Sequence, residues 1–261
     1  MTVTIAVANA KGGCGKTTTA LHLAVTFAER GLRTLAVDVD PQGTLTRQLG
    51  VETRGFPTIR EVLFDGLPLG SALVSAREHL DVAGADLRLA EADLTLPQLQ
   101  GADMRLRRTM RGLAHDIVLI DCPPSLGKLT VNALVAADWF LATLEPSAYS
   151  LEGLAMLLPT VEQTREFYNP ALKFLGPVLV MAEPRTTVTR VIREQLADTW
   201  GDLVFRTDVR KSQRTKEVAF TRDTLLDVEP TTTGADYRML AGEILDRVGL
   251  PQPALALAGG A

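Results

Sequence analysis

Cysteine is almost absent: Cys14 and Cys122 are the only two in 261 residues. Two thiols exclude a disulfide framework and a four-ligand zinc set, and they fit a reducing, cytoplasmic setting. Long apolar runs are missing too, since none reaches the roughly 18 residues that span a bilayer. The N-terminus has no basic region and no cleavage-site pattern but enters a strand pattern almost at once, so no secretory leader is expected. Positive charge is not in excess. Lys and Arg number 27 against 31 Asp and Glu, a net charge of −4, so any nucleic-acid binding must come from a local patch. The three histidines, His22, His79 and His115, show no ligand spacing, and Trp139 and Trp200 read as core residues.

What remains is a chain that is 46% hydrophobic and 22% charged, ample for a large core and far from disordered composition. Strand and helix patterns alternate along it. Strands are expected at Thr4–Ala8, Arg33–Asp38, Leu80–Ala85, Ile117–Asp121, Trp139–Leu144 and Leu175–Met181. Helices are expected at Thr19–Ala24, Ile59–Leu63, Leu151–Phe167 and Val188–Trp200, and residues 91–114 carry helical spacing. This order implies an α/β fold: a mostly parallel twisted sheet flanked by helices on both faces. With no internal repeat and no long linker, residues 1–250 read as a single domain, and 251–261, rich in Ala, Gly and Pro, as a loosely held tail.

The first strand pattern runs into Ala10-Lys11-Gly12-Gly13-Cys14-Gly15-Lys16-Thr17-Thr18. A strand, a glycine-rich loop ending in Gly-Lys-Thr, and a helix form a phosphate cradle. Backbone N–H groups and the helix N-terminus face the anion, Lys16 adds a charge, and the Thr17 hydroxyl can ligate a phosphate-bound magnesium ion. Where the usual pattern opens with Gly, this chain has Ala10, and a second lysine, Lys11, stands beside it. In doubly wound sheets ligands sit beyond the carboxyl ends of the strands, and Asp38, Asp40 and Asp121 lie at such ends. A carboxylate there can hold magnesium or orient the attacking water. Spacing alone leaves open which does which. A lone Asp at a strand end is an ordinary turn residue; two such segments joined to a phosphate loop make a nucleotide-hydrolase site.

Three segments carry a resemblance: Lys11 to Thr18, Asp38-Val39-Asp40-Pro41-Gln42-Gly43, and Asp121-Cys122-Pro123-Pro124-Ser125-Leu126-Gly127. They resemble those of the ParA/Soj partition ATPases, within the ParA–MinD group of P-loop NTPases with a deviant Walker A motif. The likeness continues through Asn132-Ala133-Leu134, Ser150-Leu151-Glu152-Gly153-Leu154 and Gly234-Ala235-Asp236-Tyr237. It implies that ATP and Mg2+ are bound by Lys11, Gly12, Gly13, Cys14, Gly15, Lys16, Thr17 and Thr18, with Thr17, Asp40 and Asp121 on the metal side. Lys11 would be the signature lysine that reaches the partner's nucleotide in a homodimer, Lys16 the loop lysine, Asp40 the residue that positions water, and Asp121 the Walker B carboxylate. It further implies a nucleoid-associated protein that binds double-stranded DNA nonspecifically and answers to a ParB-type partner.

Two stretches depart from that family. Cys14 replaces a Val or similar small residue; its backbone N–H is what the cradle uses, and a reactive thiol at a helix N-terminus is the second reading. Residues 208–219 replace the family's Pro-Arg-Asn and Ser-Glu-Ala-Pro stretch. From Val204 to Arg222 there are six cations, Arg206, Arg210, Lys211, Arg214, Lys216 and Arg222, against Asp208 and Glu217. A solvated charged face is the plain reading of such a run. In a partition ATPase, Arg210, Lys211 and Arg214 become DNA-binding residues, with Arg185, Arg190 and Arg193 extending the patch. The cluster from Arg105 to Arg111 reads as a helix surface. The alternatives are a MinD-like ATPase that positions cargo on a membrane or protein assembly, and a metabolic enzyme such as an amide ligase. The tail 251–261 carries no charged side chain and two prolines, which argues against a membrane-binding helix.

Overall fold

The computed structural model describes every residue except Met1, Ala148, Ala219, Arg222 and 253–261. Arg222 and nearly all of the expected tail therefore lie outside the described residues. The strands are β1 (Val3–Ala8), β2 (Thr34–Asp38), β3 (Leu73–Arg77), β4 (Leu80–Ala83), β5 (Ile117–Asp121), β6 (Trp139–Leu144) and β7 (Lys173–Leu179). The helices are α1 (Lys16–Glu29), α2 (Thr44–Gln48), α3 (Ile59–Phe64), α4 (Ala92–Thr95), α5 (Arg105–Thr109), α6 (Lys128–Ala136), α7 (Ser150–Phe167), α8 (Thr187–Trp200), α9 (Thr215–Val218), α10 (Leu225–Val228) and α11 (Thr233–Val248).

The strands form one sheet in the order β3-β4-β2-β5-β1-β6-β7. All neighbours are parallel except β3, which runs antiparallel to β4 at the edge. Continuous apolar runs suit strands buried on both faces, and period-2 alternation divides each run between two cores. On β1, Ala6 and Ala8 face one core while Ile5 and Val7 face the other; on β5, Val118 and Ile120 are divided in the same way from Ile117 and Leu119. The first core is covered by α3 to α8, with Leu63, Leu134, Leu154 and Leu196 fully buried. The second is covered by α1, α10 and α11, through Leu23, Phe27, Leu240 and Ile244.

Residues 91–114 do not form the continuous helix that their spacing suggests. They break into α4, two 3-10 turns (Leu96–Gln98 and Ala102–Met104) and α5. Pro97 enters the first turn of a 3-10 segment, and Gly101 (φ 67°) and Gly112 (φ 78°) adopt the left-handed conformation that ends a helix. Within this region Arg105 folds inward onto the carbonyls of Leu63 and Phe64. The edge strand β3, only half buried, had no apolar run to announce it.

Candidate nucleotide-binding site

Central β1 lies between β5 and β6, so the loops after β1, β2, β5, β6 and β7 gather at one end of the sheet. The loop after β1 turns through Gly13 (φ 72°) and Gly15 (φ 79°), both left-handed, and Gly15 leads into α1. A Cβ on Gly15 would lie 2.9 Å from Val180 Cγ2, so that position tolerates only glycine. A Cβ on Gly13 would meet nothing within 4 Å: the loop is open on that side. Helix α1 has no side-chain N-cap and no acidic residue in its first turn. Its positive end is left for an exogenous anion.

Lys16 is buried, and its ammonium donates to the Lys11 carbonyl at 2.9 Å, inside the loop. Lys11 points elsewhere. Its Nζ donates to Ser147 Oγ at 3.2 Å and lies 3.8 Å from Glu145, both in the loop after β6. Cys14 is 1% exposed and its thiol meets the Lys11 carbonyl at 3.1 Å. A thiol so enclosed packs the loop against β6 and is closed to solvent reagents. Burial also pushes the Cys122 thiol above its ordinary range.

The strand register places the acids. Asp38 and Asp121 are direct neighbours across β2 and β5, and Val7 of β1 faces Asp121 on its other side. Asp38 is fully buried and fully bonded: Oδ2 accepts from Thr46 N at 3.0 Å and Thr46 Oγ1 at 2.7 Å, and Oδ1 from Asp40 N at 3.0 Å. Burial, opposed by those bonds, raises its pKa to about 6. Asp121 is also fully buried, yet among the described residues neither carboxylate oxygen completes a hydrogen bond. Burial and then the neighbouring Asp38 hold its carboxyl well above the usual range, while the Thr17 hydroxyl and Lys16 favour its charge. A buried carboxylate with no partner, facing a threonine hydroxyl and a lysine, is the donor set a hard divalent cation fits. Asp40 is half-buried and accepts from Gln42 N at 2.9 Å, so it heads its own turn.

Two further residues build this site, Asn9 and Gly153. Asn9 is buried; its Nδ2 donates to the Thr143 carbonyl at 2.7 Å and its Oδ1 accepts from Lys11 N at 3.0 Å, tying the loop to β6. Gly153 lets α7 approach: a Cβ there would lie 2.4 Å from Asn9 Oδ1 and 3.1 Å from Lys11 Cβ. In the sequence Asn9 shows only as an asparagine directly after a strand pattern, whereas Gly153 falls within the Ser150-to-Leu154 segment that carries the family likeness.

The basic residues gather on the other side of β7. Val209 N donates to Leu179 and Lys211 N to Ala182, which lays residues 209–211 alongside the end of β7. Most of these cations already hold carboxylates. Arg210 makes a two-pronged pair with Asp236, Arg193 pairs with Asp208, Lys211 with Glu183 at 2.7 Å, Arg214 with Glu217 at 3.1 Å, and Arg190 with Glu194 at 3.1 Å. Arg185 is exposed. The local excess counted from residues 204–222 is thus offset in part by Glu183 and Asp236, which lie outside that stretch.

The loop, the strand-end acids and the parallel sheet define a P-loop nucleotide hydrolase with a second lysine in the loop. A family model described as an AAA domain matches residues 2–174. The chromosome-partitioning ATPase Soj of Thermus thermophilus is 41% identical over 94% of this chain and 96% of that protein. The sporulation initiation inhibitor protein Soj of Bacillus subtilis is 35% identical, over 92% and 97%. Among solved structures, cobyrinic acid a,c-diamide synthase of Mycobacterium smegmatis with bound ADP and magnesium superposes with a TM-score of 0.82 at 32% identity, covering 95% of this chain and 96% of that one. The chain belongs to the ParA/Soj family of ATPases, and it is an ATP hydrolase.

Proposed function

We propose that this protein is a DNA-partition ATPase, formed by residues 1–250 as a single catalytic unit. The observation that carries this reading is the pair of lysines in one loop: Lys16 is turned into the cradle, while Lys11 is turned out of it toward the loop after β6. A lysine outside its own cradle is free to serve a nucleotide held by a second copy. ATP then joins two protomers face to face, and hydrolysis parts them.

Within one protomer, the N–H groups of Gly12 to Thr18 bind the phosphates and Lys16 neutralises the terminal ones. Thr17, Asp40 and Asp121 would hold Mg2+, which would supply charge neutralisation on the transferring phosphoryl group. Asp40 orients the attacking water. The dimer binds the DNA backbone without reading sequence, a ParB-type partner stimulates turnover, and both act at the nucleoid. Asp40→Ala should therefore bind ATP with near-parental affinity, lose turnover, and stay dimeric with ATP on size-exclusion chromatography. Normal hydrolysis by this variant would leave Asp40 a turn residue only.

A second reading, ATP-driven amide formation, is favoured by the likeness to the M. smegmatis synthase. The two part on one measurement. A partition ATPase turns over ATP with DNA and partner protein but no carboxylic acid substrate, whereas an amide ligase requires the acid and a nitrogen donor.

A further inference from the structure

We infer that Arg47 is a positioning residue for hydrolysis, holding the turn that presents Asp40; this rests on the reading of Asp40 as the water-orienting group. The turn from Asp40 to Gly43 is closed by Gly43 N donating to the Asp40 carbonyl at 2.9 Å and by Gln42 N donating to Asp40 Oδ1 at 2.9 Å. Helix α2 starts immediately afterwards, with Gly43 as its N-cap and no side chain capping it. Two consecutive residues of that helix reach back and grip the turn at both ends.

Thr46 takes the strand side. Its N–H and hydroxyl both bond Asp38, and the hydroxyl also accepts from Ala85 N at 2.9 Å. Arg47 takes the other side. Its Nη1 donates to the Gln42 carbonyl and its Nη2 to Thr44 Oγ1 at 3.2 Å. Gly43 is wedged between them: a Cβ there would lie 2.7 Å from the Ala85 carbonyl oxygen and 3.7 Å from Arg47 Nη1. Asp40 therefore sits in a span tethered at Asp38 by Thr46 and at Gln42 by Arg47. The planar guanidinium bonds the carbonyl and the hydroxyl in one rigid fork; an ammonium also has three donors, but on a flexible stem and in no fixed plane, so it holds the turn less exactly. Orientation of the water matters more in the transition state than in the bound state, so loosening this tether should act on kcat and not on nucleotide affinity.

Arg47 is exposed and lines an open cavity of about 480 Å³ with Glu52, Thr53, Asp86 and Leu87. A small guanidinium compound can reach the position of its head group from that side, which permits chemical rescue. The experiment compares Arg47→Ala, Arg47→Lys and Asp40→Ala for steady-state hydrolysis and for ATP affinity by calorimetry. Arg47→Ala should lower kcat about tenfold with ATP affinity within about twofold of the parent. Arg47→Lys should fall between the two, and millimolar methylguanidine should restore part of the Arg47→Ala rate while leaving the parent unchanged. Parental kcat in Arg47→Ala beside an inactive Asp40→Ala overturns the role of Arg47 and leaves the Asp40 reading standing. An active Asp40→Ala overturns both. A slow Arg47→Ala whose melting temperature falls and whose rate methylguanidine does not restore shows a merely structural arginine, and also overturns the inference.

Discussion

At the scale of single residues, the same side-chain type does opposite work according to what surrounds it. Asp38 and Asp121 are neighbours in register and equally buried, but one is saturated by Thr46 and Asp40, while among the described residues the oxygens of the other complete no hydrogen bond and only the Thr17 hydroxyl and Lys16 favour its charge. The first is a structural anchor and the second is fitted to a cation. His22 shows the same logic for a base. It lies fully buried in α1, with Nδ1 against the Thr18 carbonyl at 2.6 Å and Nε2 accepting from Leu225 N at 2.9 Å, stacked on Tyr237 at 4.6 Å. Those partners fix a neutral imidazole with its proton on Nδ1, and burial lowers its pKa from 6.5 to about 4. The unfolded chain takes up a proton near 6.5 but the folded imidazole resists until about 4. The stability it contributes is thus complete above pH 6.5 and lost as pH falls toward 4, by about 3 kcal/mol at ~1.36 kcal/mol per pH unit. Unfolding by urea at pH 7, 6, 5 and 4 should show the parent losing about that much relative to His22→Gln. The raised pKa of Asp38 acts with the opposite sign in this window but is common to both proteins, so it cancels. Parallel profiles would mean that the buried imidazole is charged.

At the scale of elements, the strands with long apolar runs were legible because burial on both faces leaves few other readings. All of β1, β2, β4, β5, β6 and β7 fall where those runs lie. β3 was not legible: Leu73-Val74-Ser75-Ala76-Arg77 is an edge strand whose place is set by pairing with β4. The helical spacing over 91–114 yields only short helical pieces, because Pro97, Gly101 and Gly112 break the run. For the site, the loop and the strand-end acids were readable from local pattern, whereas Asn9, Thr46, Arg47 and Gly153 act through contacts that only the tertiary fold creates. Gly153 allows a sharp test of that difference. In an ordinary helix interior Gly→Ala stabilises by about 1 kcal/mol. Here the new methyl would press on Asn9, which is committed on both sides to Lys11 and Thr143. Gly153→Ala should instead cost about 1–3 kcal/mol and weaken ATP binding, because the strain falls on the phosphate loop. Thermal unfolding with and without ATP measures both, and a raised melting temperature would show that α7 yields without disturbing the loop.

At the scale of the whole molecule, a chain of net charge −4 can grip DNA only where its cations can be freed. Exposed ion pairs are worth about 0–1 kcal/mol, so Lys211, Arg214 and Arg190 can exchange Glu183, Glu217 and Glu194 for phosphates at little cost. Arg210 cannot. It is held by a carboxylate only 4% exposed and also donates to the Thr232 carbonyl. Withdrawing it would leave the buried Asp236 carboxylate without its partner, which costs more than breaking the exposed pairs. Arg210 was expected in the DNA interface, but its geometry makes it a structural clamp between the 209–211 segment and α11. Arg210→Ala should therefore lower stability. The triple change of Arg185, Lys211 and Arg214 to Ala should spare folding and basal ATP hydrolysis while removing DNA retention. Three phosphate contacts per protomer make about six in a dimer, and at ~0.9 per contact a fourfold rise in salt should weaken parental binding by roughly three orders of magnitude. A monomer with half the contacts would show about half that slope. Mobility shifts on unrelated duplexes, with and without ATP, across a salt series read both quantities. If the triple variant keeps the parental affinity and slope, the DNA-binding surface lies elsewhere on the molecule, with the exposed arginines of 105–111 next in line.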